Sequence, residues 1–107
     1  MKALYIIINA GFADAVVDAA RSAGARGATI YNARGSGAMQ KSFLGISVDS
    51  EKETILSLVD DETAIRVMEA VRENFGRDNP AANGVCFCVP VEKMTPINKI
   101  SAAPSGA

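Results

Sequence analysis

The chain has 107 residues, 49% hydrophobic and 21% charged, with a formal net charge of −1, which predicts one soluble globular domain with a real core and argues against disorder. A near-neutral charge with no basic block argues against a nucleic-acid partner. Apolar runs such as Ala3 to Ile8 are far too short to insert in a membrane, and the N-terminus lacks a signal-peptide pattern, so a cytoplasmic address is expected.

The sequence holds no histidine, which removes Ser-His-Asp, Cys-His and His-metal chemistry and leaves a binding or regulatory protein, not an enzyme, as the expectation. Along the chain, Leu4-Tyr5-Ile6-Ile7-Ile8 predicts a strand that stops at Asn9 and Gly11. Phe12, Val16, Ala20 and Ala23 recur at helical steps, with Asp14, Asp18 and Arg21 elsewhere on the wheel, and Gly24 is placed to end that helix. Ala28 to Ala33 reads as a second strand, broken by the glycines of Arg34-Gly35-Ser36-Gly37-Ala38.

A second unit repeats the order. Thr54 to Val59, within Lys52 to Val59, reads as a strand; Asp60, Asp61 and Glu62 supply a cap and negative charge at a helix start. Ile65, Met68, Val71 or Arg72, and Phe75 form the predicted helical stripe, which ends at Gly76. Residues 77–83, with Pro80, form a loop leading into a strand from Val85 to Val91.

That last strand carries the only cysteines, Cys86 and Cys88, in a run that reads as buried. Two apart in a strand, they share a face with Cα atoms roughly 6.6 Å apart, a poor geometry for a bridge. Free thiols in a packing role are predicted, and no metal ligand set is visible.

Strand-helix-strand twice over is the α+β, ferredoxin-like βαββαβ arrangement, read as one domain over residues 1–94 with a loop at 36–51 and a mobile tail over 95–107. Such a sheet carries helices on one face only. Here both faces are apolar: Leu4, Ile6 and Ile8 alternate with Tyr5 and Ile7, Ile55 and Val59 with Leu56 and Leu58, and Val85, Phe87, Val89 and Val91 with the cysteines. The uncovered face predicts a closed homo-oligomer.

Order and motifs over residues 1–94 resemble the PII signal-transduction family, the nitrogen regulatory proteins. The resemblance rests on Met1-Lys2-Ala3, on Gly24-Ala25-Arg26-Gly27-Ala28-Thr29-Ile30 running into Arg34-Gly35-Ser36-Gly37, on Lys52 and Val59-Asp60-Asp61, and on Asn83-Gly84. It implies a homotrimer that binds an adenine nucleotide (ATP, ADP or AMP) between subunits and controls a membrane transporter or enzyme through the loop after the second strand. Gly27, Ala28 and Thr29 match positions that border the adenine; Gly35 and Gly37 match the loop base, with Gln40 as the displaced counterpart of the family's glutamine; Lys52 matches a basic residue at phosphate or a bound 2-oxo acid, Gly84 the end of the second phosphate loop, and Lys93 a basic residue beyond the last strand. Met39, Phe43 and Leu44 make the loop apolar enough to dock. The chain departs from the family in carrying Val85 where the family has lysine, in a shorter loop with Gln40 one place late and no modifiable tyrosine, and in lacking the usual basic pair after the last strand. The alternative resemblance is to the trimeric CutA-like divalent-cation tolerance proteins, which implies a metal-related or structural role.

Overall fold

The structure is a computed structural model and describes residues 1–34, 42–43, 46–47, 51–76 and 81–98. Its elements are β1 (Lys2–Asn9), α1 (Ala13–Ser22), β2 (Thr29–Arg34), β3 (Ser42–Phe43), β4 (Ile46–Ser47), β5 (Glu51–Val59), α2 (Asp61–Phe75) and β6 (Gly84–Pro90). Four strands form one sheet in the order β2-β5-β1-β6 with every neighbouring pair antiparallel, which is the ferredoxin-like arrangement. The pair β3–β4, with Phe43 opposite Ile46, falls inside the predicted loop 36–51 and has no counterpart in the sequence pattern, because two-residue strands are too short to show a period of two. β5 begins at Glu51, so that loop also ends one residue sooner than its predicted boundary. Residues 99–107 of the predicted tail lie outside the described residues, and 95–98 are exposed.

The register sorts the side chains onto two faces. Ile6 lies opposite both Ile55 and Cys86, and Leu4 opposite Ser57 and Cys88. Leu4, Ile6, Ile8, Ile55 and Val59 join Val16 and Ala20 of α1 and Ala64, Val67 and Val71 of α2 in one buried core. On the other face Tyr5 lies opposite Leu56 and Phe87, Ile7 opposite Val85, and Ala3 opposite Leu58 and Val89. The Tyr5 and Phe87 rings stack with centroids 5.2 Å apart. Tyr31, Phe87 and Val89 remain 45%, 40% and 39% exposed, so the face predicted to be uncovered is open in the single chain. β6 is correspondingly an edge strand with one covered side, not the fully buried strand that its apolar run suggested.

The predicted stripe of α2 needs correction. Ile65 is 59% exposed, and the buried line is Thr63, Ala64, Val67 and Val71, with Met68 and Phe75 at its flank. Small residues let the helix axis sit close to the sheet, and the larger apolar side chains are pushed to the margins.

α1 draws on distant groups at its ends, whereas α2 is capped by the residue before it. No side chain of the N-cap residue Phe12 caps α1. Glu53 on β5 does so instead, its Oε1 accepting from the Gly11 N–H at 2.7 Å and the Ala13 N–H at 3.4 Å, a carboxylate at the positive end of the helix. At the other end Gly24 adopts φ +115°, its N–H donating to the Arg21 carbonyl and that of Ala25 to the Ala20 carbonyl, a paired closure that a left-handed residue makes possible. Arg66 of α2 adds a bond from Nε to the Ala23 carbonyl at 3.1 Å. Asp60 caps α2 through Oδ1, which accepts from the Thr63 N–H at 2.7 Å; that bond holds the Asp60 carboxyl below its usual range. Glu53→Ala removes the only side-chain acceptor described at the start of α1 and should lower the free energy of unfolding by about 1 kcal/mol. Urea denaturation checks this, with Glu53→Gln retaining part of the effect through its amide oxygen.

Candidate functional site

β1, β5 and β2 end together beside the segment that leads into β6, and their terminal residues are polar. Lys52 opposes Asn9 on one side and Ala33 on the other, and Arg34 opposes Glu51. Lys52 is 2% exposed, and its Nζ donates to Asn9 Oδ1. An ammonium removed from water requires such an acceptor, so Lys52 is neither an ordinary solvated charge nor a cation projecting from the surface of the single chain. The Asn9 amide nitrogen donates to the Ala81 carbonyl at 2.8 Å, and the Asn9 backbone N–H to the Ala82 carbonyl at 2.9 Å. Asn9 thereby ties β5 to the residues preceding β6.

A cavity of about 310 Å³ opens beside this network, lined by Ala10, Asn32, Ala33, Arg34, Glu51 and Lys52. It stands at the foot of the segment joining β2 to β5. Arg34 is exposed and offers a planar, permanently charged donor suited to phosphate or carboxylate.

The predicted site residues do not gather at one point within one chain. Lys52 and Gly84 lie at this end of the sheet, since Gly84 pairs with Ile8, next to Asn9. Thr29 pairs with Leu56, four residues farther along β5, and the Gly27 carbonyl accepts from Ser57 Oγ at 2.6 Å. Lys93 follows β6 at the opposite end, where Pro90 pairs with Lys2 and the Val91 N–H donates to the Met1 carbonyl. Gly35, Gly37, Met39, Gln40 and Leu44 lie outside the described residues, and Phe43 is described only as backbone in β3.

Gly84 has a backbone reason of its own. A Cβ there would stand 2.3 Å from the Ile7 carbonyl oxygen and 3.0 Å from Ile8 Cα, so β6 can approach β1 only with glycine at its first position. Sequence reasoning gives Asn9 no site role, because a polar residue after an apolar strand signals a turn and nothing more. Arg34 reads in the sequence as part of a motif, and its place in the cavity wall becomes visible only with the β2–β5 register.

No curated protein matches the chain. Among solved structures it is similar to a PII-like signaling protein from Thermus thermophilus, with a TM-score of 0.62 and 20% identity over 82% of this chain and 83% of that one. It is similar also to CPII from Thiomonas intermedia K12, solved bound to ADP, AMP and acetate, with a TM-score of 0.60 and 26% identity over 81% of each chain. The sequence matches the family of nitrogen regulatory protein P-II over residues 1–99, nearly its whole length, and with the same fold in both solved relatives the chain belongs to the P-II family.

Proposed function

We propose that this protein is a PII-like regulator that binds an adenine nucleotide reversibly in clefts completed by neighbouring copies of a homotrimer, and signals by docking residues 36–51 on a transporter or enzyme. The observation that carries this reading is the relative CPII with its bound ADP and AMP, joined here to a cavity at the foot of that segment with Arg34 in its wall. The separation of the candidate residues supports a cleft shared between copies: Gly27 to Thr29 and Lys93 stand away from Lys52 within one chain, so a single copy brings only part of the set together. Residues 1–94 act as the nucleotide-binding unit, and 95–107 as an appendage to it. A cytoplasmic regulator in nitrogen metabolism, without catalytic activity of its own, is the role that family membership favours; the CutA-like alternative draws no support from it. Among the described residues no helix is long and apolar enough to cross a membrane.

Thermal denaturation in the presence of ATP, ADP, AMP, cyclic AMP or divalent metals tests the proposal. A nucleotide at about a hundred times its Kd adds about 2.7 kcal/mol, so the favoured nucleotide should raise Tm clearly. Arg34→Ala, at an exposed position, should abolish the shift and leave the unliganded Tm nearly unchanged. Lys52→Ala is a poorer probe because it also leaves Asn9 Oδ1 without its Lys52 donor. A flat response to every nucleotide, or a response to divalent metals alone, would overturn the reading.

A further inference from the structure

Away from the nucleotide cleft, a cavity of about 400 Å³ lies where α2 crosses β1 and β6. Its floor is apolar. Ile6 and Ile8 of β1, both 2% exposed, meet Val71 and Phe75 of α2 and Cys86 of β6 around it. Burial, and then the neighbouring Cys88, push the Cys86 thiol up to about 12, so at neutral pH it is an uncharged part of that floor. Glu69 and Arg72 complete the lining from the exposed side of α2. Among the described residues these are the cavity's only charged groups, one of each sign.

Three positions apart on one helix, Glu69 and Arg72 are neighbours, with Cβ atoms about 5–6 Å apart. The ion pairs among the described residues join Met1 to Asp61 and Arg66 to Glu62, and Glu69 and Arg72 take part in neither. Both charges are therefore open to a ligand. Size and lining together select one. The volume is near the lower end of the roughly 300–1,000 Å³ typical of small-molecule sites, which suits a single small metabolite. A fatty acid would give Arg72 a partner but set its carboxylate beside that of Glu69, and an alkylamine would set its ammonium beside Arg72. A zwitterion satisfies both groups at once. The two charges of an α-amino acid flank a single carbon, a separation that the neighbouring pair can span, and its side chain is left to meet the apolar floor.

We propose that the cavity between α2 and β6 is a binding site for an apolar α-amino acid, with the ligand carboxylate held by Arg72, its ammonium by Glu69, and its side chain packed on Ile6, Ile8, Val71 and Phe75.

The test uses the full chain without nucleotide, so its outcome is independent of the proposed nucleotide cleft. Titration calorimetry should show saturable binding of L-leucine, L-isoleucine or L-phenylalanine, and none of glycine or L-glutamate. Leucinamide, which lacks the carboxylate, and isocaproate, which lacks the ammonium, should bind at least about tenfold more weakly than leucine. From alanine through norleucine, affinity should rise about fourfold per added methylene. Arg72→Gln and Glu69→Gln change exposed positions and should leave Tm nearly unchanged while each weakens leucine binding at least about tenfold. No binding of any apolar amino acid at millimolar concentration, leucinamide or isocaproate binding as well as leucine, a flat methylene series, or undiminished affinity in either glutamine variant would overturn the site.

Discussion

Gly84→Ala should cost about 2–3 kcal/mol of stability and lower Tm by roughly 10–15 °C in the complete absence of nucleotide. The added methyl would meet the Ile7 carbonyl oxygen at 2.3 Å and Ile8 Cα at 3.0 Å, both of them backbone of the central strand β1, and neither can rotate away. Relief requires β6 to withdraw from β1, which breaks the ladder from Gly84–Ile8 toward Pro90–Lys2 and loosens Cys86 and Cys88 from the core. Circular dichroism melts of the unliganded protein check this. A change within about 0.5 kcal/mol, the range of neutral surface substitutions, would show that the strand accommodates the methyl and that the glycine serves something else. The distinction bears on any mutational study of the cleft, because a Gly84 variant that fails to bind nucleotide would be reporting a displaced strand.

If the open face carries the proposed homotrimer, Phe87→Asp should yield monomers of 11.2 kDa while leaving the fold of each chain intact. Phe87 on the edge strand β6 stacks on Tyr5 of the neighbouring central strand at 5.2 Å on the open face, and in the single chain it is 40% exposed, so a carboxylate there remains solvated when the chain is alone. In a closed assembly the same carboxylate would be buried once per subunit without a partner, at a cost of several kcal/mol each. Light scattering coupled to size exclusion should give about three times the chain mass for the wild type and one chain mass for the variant, with unchanged far-ultraviolet circular dichroism. A wild-type monomer at micromolar concentration, or a variant that stays assembled, would refute the assignment of this face to self-association.

The order of the four longer strands and two helices is legible in the sequence because each of them carries its own period. The apolar alternation in β1, β5 and β6 also announces a sheet with two apolar faces, which the register bears out. What escapes reading depends on partners far apart in sequence. The burial of Lys52 follows from Asn9, 43 positions away, and the capping of α1 from Glu53, 42 positions from Gly11; no local pattern encodes either pair. In α2 the predicted stripe holds at Val71 and at the flanking Met68 and Phe75 but misses at Ile65, and Ala64 and Val67 take the rest of the core because the sheet lies close. Gly84 is tied to phosphate by resemblance to the family, whereas its nearest physical reason is the carbonyl of Ile7. Of the candidate site, the polar ends of β1, β2 and β5 can be named from sequence, but their meeting beside Arg34 needs the strand pairing.

Asn9 makes one residue a mechanical link. Its carbonyl oxygen holds Lys52 on β5, while its two nitrogens hold the carbonyls of Ala81 and Ala82 ahead of β6. Residues 81–82 and Lys52 are therefore both tied to one residue, and Lys52 lies in the strand that begins where the segment proposed to dock ends. On the proposed function, a nucleotide on one side and the posture of the proposed docking segment on the other would share one axle, and it is a residue that need touch neither.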